Sequence, residues 1–421
     1  MKSHYEVLII GGGTAGIMTA AQLRNADSKI DIGIIEPSED HYYQAAWTLV
    51  GAGTYDYNET RRNEKDLIPA GTDWIKDFAE EFDPENNSVE TRNSGKITYD
   101  YLIVAPGIQY DLDGIKGLRE ALNTDAVVSN YLDPNKTWKA IKGLKKGNAV
   151  FTQPTTPIKC GGAPQKIAYL AADHFRKTGK SNDVNVIFAS PGGVIFGVKD
   201  FAVTLMKVID NYGIHFKPHY APESIDSVNK TITYHYTQAG ENGCVINENN
   251  AIGESIKGES HITMPYDILH LAPPQKAPDF VRNSPLAHQE GPSKGWMNVD
   301  INTLQHKTYK NVFGLGDVAA LPTAKTGAAV RKQAPVVTEN ILAMRKSNAL
   351  GKSRYEGYSS CPLVTGYGKM VLAEFKYDNV RDSDPLLSKF VDTSKENYSM
   401  WLLKKYGLPY LYWNRMVKGK M

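Results

Sequence analysis

The chain has 421 residues, 41% of them apolar and 22% charged, with 48 Lys and Arg against 46 Asp and Glu. Those values exclude a disordered chain, a collagen-like repeat and a dedicated nucleic-acid binder, which carries a clear basic excess. Three cysteines are too few for a disulfide framework, and no apolar run reaches the length of a membrane span.

Strands alternate with helices along the chain, which predicts an α/β fold. Residues 5–10 read as a strand, 15–24 as a helix, 29–36 as a second strand and 99–105 as a third apolar run ending at Pro106 and Gly107. A second α/β unit starts near Asn148. Its strands lie at 149–151 and 184–189, around a helix over 164–177 with proline in its first turn. Residues 240–259, with four Asn and four Gly, read as an exposed loop or hairpin. Strands at 268–272 and 312–315 return to a sheet, and 327–345 has helical character. From Tyr355 onward Tyr, Trp, Leu and Lys dominate.

Gly11, Gly12, Gly13, Thr14, Ala15 and Gly16 satisfy G-x-G-x-x-G between a strand and a helix, and Glu36 closes the next strand. Bare backbone and a helix N-terminus suit a pyrophosphate, and the acid suits a ribose hydroxyl. The fingerprint serves FAD and NAD alike. The strand end Tyr99-Asp100-Tyr101-Leu102-Ile103-Val104-Ala105-Pro106-Gly107 and the late motif Asn311-Val312-Phe313-Gly314-Leu315-Gly316-Asp317 resemble two-dinucleotide flavoproteins, and together they point to FAD. In those proteins the late aspartate holds the ribityl chain; its alternative here is a plain turn residue. Lys325 reads either as a lysine near the flavin or as a solvated loop lysine.

The second unit lacks a fingerprint where one is expected, after the strand 184–189. Gly192, Gly193 and Gly197 have the wrong spacing, and Val194 and Ile195 stand where bare backbone is needed. That predicts no working nicotinamide site. Cys160 lies just ahead of the helix opened by Pro164, with Lys159 and Lys166 nearby, a setting that lowers a thiol's pKa. Cys361 lies in Ser359-Ser360-Cys361-Pro362. Both neighbourhoods read as loops, although buried inert thiols are the common alternative. Cys244 reads as a surface thiol without a role. The histidines show no zinc spacing, so no metal is expected, and His41 reads either as a flavin neighbour or as a packing or hydrogen-bonding residue.

Taken with these motifs, the segments "EPSEDHYYQAAWTLVGAG", "PIKCGGAPQKIAYL", "VIFGVK", "LQHKTYKNVFGLGD", "LPTAKT" and "CPLVTGYGKMVLAEF" resemble the two-cysteine, mitochondrial-type branch of the sulfide:quinone oxidoreductases. The resemblance implies two Rossmann-like dinucleotide-binding domains, as in glutathione-reductase-like flavoproteins, with a C-terminal membrane-interface segment. Residues 1–115 and 285–350 would form the FAD domain, 116–284 the second domain and 351–421 the C-terminal quinone and membrane region. It implies Cys160 and Cys361 as a disulfide or sulfur-bridged pair that hydrogen sulfide attacks. Cys361 would keep the persulfide, and Cys160 would pass two electrons to FAD through a transient adduct. A membrane quinone would then be reduced, and glutathione, sulfite, coenzyme A or cyanide would take the sulfur. Matching cofactor contacts are Gly11, Gly13, Thr14, Ala15, Gly16, Glu36, Gln44, Ala79, Gly107, Gly316, Asp317 and Lys325.

Six aromatics between Tyr398 and Trp413, mixed with leucines and basic residues, suit an interfacial segment that does not span. The alternative is a helix packed on the protein's own core or on a second copy in a homodimer. From residue 395 to the end there are six Lys and Arg and one Glu, which suits an anionic membrane surface. With no signal or transit peptide read in the first residues, a bacterial cytoplasmic membrane is expected over the mitochondrial inner membrane. The other readings are a type II NADH:quinone dehydrogenase and a non-enzymatic flavin and thiol redox sensor.

Overall fold

A computed structural model describes residues 2–238 and 248–421 of the chain. Cys244 and part of the polar segment around it lie outside the described residues.

The first sheet is built from β1 (His4–Ile10), β2 (Ile32–Ile35), β3 (Thr72–Ile75) and β4 (Gly95–Val104), with α1 (Thr14–Ala26) crossing between β1 and β2. β2 is shorter than expected, starting three residues later. Its register pairs Leu8 with Gly33 on one side and with Leu102 on the other, all parallel. A hairpin of Ala79–Asp83 and Ser88–Thr91 adds antiparallel pairing at the start of β4. β1 is apolar without alternation because both its faces are covered. Val7 and Ile9 pack with Ile17 and Met18 of α1, whereas Leu8 and Ile10 pack with Phe82, Leu102 and Val104 on the far side. Burying each such side chain stabilises the fold by about 1.5–3 kcal/mol.

The second parallel sheet holds β5 (Val127–Val128), β6 (Gly147–Thr152), β7 (Val184–Ser190), β8 (His215–Pro218) and β9 (Ile268–Leu271), in the order β5-β9-β6-β7-β8. Helices α2 (Ala163–Lys177) and α3 (Lys199–Tyr212) make its crossovers. The chain then returns to the first sheet as β10 (Val312–Gly314), which pairs with the end of β4, and runs into α4 (Gly327–Ser347). Three antiparallel strands follow: β11 (Ser359–Gly366), β12 (Lys369–Lys376) and β13 (Val380–Arg381).

The two parallel sheets have the same wiring. β6, α2, β7 and β8 occupy in the second the places that β1, α1, β2 and β3 occupy in the first, with α3 added between β7 and β8. The β6–α2 turn is therefore the counterpart of the first glycine turn.

The last residues, 398–416, are helical, with two π-helical stretches at Leu403–Gly407 and Tyr412–Met416. α-helical turns drift a four-residue repeat one way, and the wider π turns drift it back. Tyr398, Leu402, Tyr406 and Tyr410 therefore share one exposed face, while Trp401, Lys404, Tyr412 and Met416 are buried against the rest of the chain. The inward face packs on the protein's own core, as one reading of this segment expects, and the other face stays exposed. Among the described residues no helix is long and apolar enough to cross a membrane.

Candidate active site

Parallel strands bring every turn that follows them to one edge of a sheet. Gly11 to Gly16, Glu36, Gly107, Gly316 and Asp317 follow β1, β2, β4 and β10 in this way. Gly11 has φ +101°, and a Cβ there would lie 2.5 Å from the carbonyl oxygen of Ala105, so this turn requires glycine. A Cβ on Gly12 would strike the Glu64 carboxylate and the side-chain methylenes of Glu36, whereas around Gly13 nothing lies within 4 Å. Gly13 caps α1 without a side chain, and no acidic residue stands in the first turn. The amides of that turn are left for an anion. Glu36 accepts hydrogen bonds from the Gly12 and Ser38 amides, each at 2.7 Å, and burial raises its pKa. A Cβ on Gly316 would lie 3.2 Å from that of Ala15, so the turn carrying Asp317 closes on the glycine turn. Gly107, at φ +76°, faces open space, and Ala79 is buried beside the ends of β1 and β4. Bare amides for a pyrophosphate, a carboxylate for a ribose and a second carboxylate in the late turn are the donor set that FAD needs. The residues fit that group.

Burial raises the pKa of Asp317, against the lowering effect of Lys325 and Lys159. Lys325 is not a solvated loop lysine. Its Nζ donates to the Ala319 carbonyl at 2.9 Å and lies 4.0 Å from the Trp296 ring centroid. Burial pushes it down to about 8, with Asp317 opposing. Gln44 accepts from Lys159 Nζ, which ties this exposed residue to the segment holding Cys160.

The wiring of the second sheet corrects where its fingerprint should be sought. The counterpart of the glycine turn is the stretch between β6 and α2, not residues 191–197 after β7. That stretch carries Cys160, Gly161 and Gly162, and Ser190 ends β7 where the first unit has Glu36 beyond β2. The turn that would hold a second dinucleotide holds a thiol instead.

Cys160 is half-buried, with φ +53°, a conformation that costs a residue with a Cβ of order 1 kcal/mol or more. The surroundings hold it there. Its amide donates to the Lys325 carbonyl at 2.7 Å, and its carbonyl accepts from the Ala163 amide at 2.8 Å and the Tyr131 hydroxyl at 3.3 Å. The first bond ties the cysteine to the segment leading into α4. There Thr326 caps the helix and hydrogen-bonds Ser359 of β11 at 2.8 Å. Cys361, two residues further along β11, thereby comes to lie with its Sγ 4.0 Å from that of Cys160.

Cys361 corrects the loop expectation: it is a buried residue of a strand. Pro362 beside it is tolerated because β11 is an edge strand, pairing only with β12. A Cβ on Gly162 would lie 2.6 Å from the Cys361 sulfur, so the helix start and the thiol are in direct contact.

The two thiols have opposite electrostatics. The hydrogen bond from Cys361 and the charge of Lys166 hold Cys160 well below the usual thiol range, although burial opposes this. That same bond and burial push Cys361 well above it. Lys166, buried in the first turn of α2, donates from Nζ to the Cys160 sulfur at 2.9 Å. Lys159 points elsewhere, to Gln44 and the Tyr110 ring. Lys404, which sequence reasoning missed as a site residue, is buried with its Nζ on the Ala45 carbonyl at 2.8 Å and adds positive charge beside both sulfurs. Burial and then Lys166 push it down to about 8. No sequence signal separates it from Lys405, which is only half-buried, with its Nζ on the Thr54 hydroxyl at 3.1 Å; the winding of the helix makes the difference.

The family profile of the pyridine nucleotide-disulphide oxidoreductases matches residues 5–338. The chain is 42% identical over 424 residues to the mitochondrial sulfide:quinone oxidoreductase of Mus musculus, covering 99% of this chain and 87% of that protein. Against the mitochondrial sulfide:quinone oxidoreductase of Dictyostelium discoideum it is 41% identical, covering 100% and 87%. The fold recurs in the crystal structure of the sulfide:quinone oxidoreductase of Aquifex aeolicus, with TM-score 0.78 and 22% identity over 99% of this chain and 92% of that one.

Proposed function

The chain belongs to the pyridine nucleotide-disulphide oxidoreductase family and, within it, to the sulfide:quinone oxidoreductases, and from that premise we propose that Cys160 and Cys361 carry its chemistry. The protein is an FAD-dependent oxidoreductase that oxidises sulfide with a quinone as acceptor. One observation supports the cysteine reading above the rest: two thiols 4.0 Å apart, one of them bonded to a buried ammonium.

The difference between the thiols gives the direction of attack. In a disulfide exchange, the thiol with the lower pKa leaves faster. Hydrosulfide therefore adds to the Cys361 sulfur of the oxidised pair. The Cys160–Cys361 bond breaks, Cys160 departs as a thiolate held by Lys166, and Cys361 is left as a persulfide. A small nucleophilic acceptor of the glutathione, sulfite, coenzyme A or cyanide class takes the outer sulfur and leaves Cys361 as a thiolate. Re-forming the Cys160–Cys361 bond releases two electrons. FAD, when bound, supplies the acceptor for that pair and the route to the quinone. Gly11, Gly13, Thr14, Ala15, Gly16, Gly107 and Gly316 would shape its site, with Glu36, Gln44, Ala79, Asp317 and Lys325 around it. The second unit, with Cys160 in its leading turn, binds no nicotinamide.

The quinone places the enzyme at a bilayer. Tyr398, Leu402, Tyr406 and Tyr410 form the docking face on this reading, with the exposed Arg415 on the same segment meeting anionic headgroups. The two relatives above 40% identity are mitochondrial, so the expectation of a bacterial membrane finds no support, and the inner mitochondrial membrane is the better assignment.

An anaerobic titration tests the reading. Sulfide is expected to bleach the bound flavin, and NADH at the same concentration is not. Bleaching by NADH alone would overturn it.

A further inference from the structure

Away from the cysteines, a buried chain of polar groups joins the C-terminal segment to the glycine turn. His41 Nδ1 lies 3.0 Å from Glu64 Oε2, and His41 Nε2 lies 2.6 Å from the hydroxyl of Tyr412. That hydroxyl lies 2.7 Å from Oγ1 of Thr14, the first residue of α1. His41, Glu64 and Tyr412 are all less than 7% exposed. A carboxylate only accepts, so His41 Nδ1–H donates to Glu64; in the neutral imidazole Nε2 then accepts from the Tyr412 hydroxyl, whose oxygen accepts from Thr14. The second carboxylate oxygen of Glu64 has no partner and faces Gly12. The Tyr412 ring packs on Tyr43 at 4.5 Å between centroids.

These contacts have a clear consequence for the turn. Gly13 gives α1 no side-chain cap, so nothing on the glycine loop itself fixes the amides at the helix start. Thr14 is the first side chain able to do so, and its hydroxyl is held from nearly 400 residues away in sequence. We propose that Tyr412 and His41 are positioning residues for the cofactor, a latch by which the C-terminal segment fixes the first turn of α1 and slows the release of FAD. The latch rests on the reading of that turn as the FAD site. It also makes cofactor retention depend on the segment whose opposite face carries Tyr406 and Tyr410.

The test uses the full-length holoprotein and follows released flavin fluorescence after dilution. Tyr412→Phe keeps the ring on Tyr43 and removes only the hydroxyl. It and His41→Gln are each expected to release FAD about tenfold faster, the scale of one lost buried hydrogen bond. Since both act through one chain, the double variant should release it no faster than the faster single variant. Losing a buried hydrogen bond lowers the thermal midpoint of the FAD-free protein a little, and that of the holoprotein should fall further. Release at the wild-type rate in both single variants, effects that multiply in the double variant, or equal falls in the two midpoints would each overturn the latch. A wild-type protein that neither retains nor rebinds FAD would instead overturn the cofactor reading beneath it.

Discussion

The two leading turns of this molecule stand at the same place in two sheets of the same wiring, and they handle different anions. The first, between β1 and α1, strips away side chains so that a phosphate can meet the amides of a helix start. The second, between β6 and α2, keeps a side chain, Cys160, two residues ahead of the helix cap, and adds the ammonium of Lys166 from inside the helix. A carboxyl-edge turn facing a helix N-terminus is a general anion site. What differs is whether the anion arrives with a ligand or is part of the chain as a thiolate. On the function proposed here, the second turn carries thiol chemistry where the first holds a dinucleotide.

Substitutions that disable one turn should spare the other. The largest effect is expected from Cys160→Ser. It should lower flavin reduction by sulfide by about 10⁴-fold or more, the scale of losing a nucleophile, while FAD stays bound. Stopped-flow absorbance reads the first quantity and flavin content the second. Reduction at the normal rate would remove the second turn from the chemistry.

Gly12→Ala attacks the first turn. Its new Cβ meets Glu36 and Glu64, an overpacking worth about 1–3 kcal/mol, or roughly 5- to 150-fold in FAD affinity by fluorescence titration. Alkylation of Cys160 should not change in that variant; if it slows in parallel, the turns are not independent.

Lys166→Met should act more mildly, through charge alone. A lowered thiol pKa means that the thiolate is populated above it, so iodoacetamide labels wild-type Cys160 rapidly at pH 7 and the rate falls only as pH drops through the depressed value. Removing the ammonium raises that pKa. The labelling profile then shifts towards alkaline pH, with a rate at pH 7 roughly tenfold lower or less. Mass spectrometry separates Cys160 from Cys361, which stays protonated and slow throughout. A profile unmoved by the substitution would mean that Lys166 does not set the charge of Cys160.

Much of this was legible in the residues. The glycine fingerprint, Glu36 and the late aspartate have fixed spacings, because each follows a strand within a few residues and strand ends share an edge. The helix of Cys160 was legible for the same local reason, with Pro164 in its first turn. Cys361 was not. Its Ser and Pro neighbours read as a loop, and only pairing with β12 makes them a strand whose outer edge tolerates Pro362. The C-terminal segment was ambiguous because composition records no winding. Its π turns send Tyr412 and Lys404 inward and Tyr406 and Tyr410 outward.

By itself, then, the sequence determined the α/β class, the cofactor turn and the two cysteines worth examining, all of them features written within short stretches of chain. The tertiary structure alone decided that Cys160 and Cys361, 201 positions apart, come within 4.0 Å, and that they differ. It also decided that the second turn is the counterpart of the first, and that Tyr412 reaches Thr14. Spacing in sequence constrains local geometry over a few residues. Distances across hundreds of residues, and the burial that sets a thiol's charge, exist only once the sheets have packed.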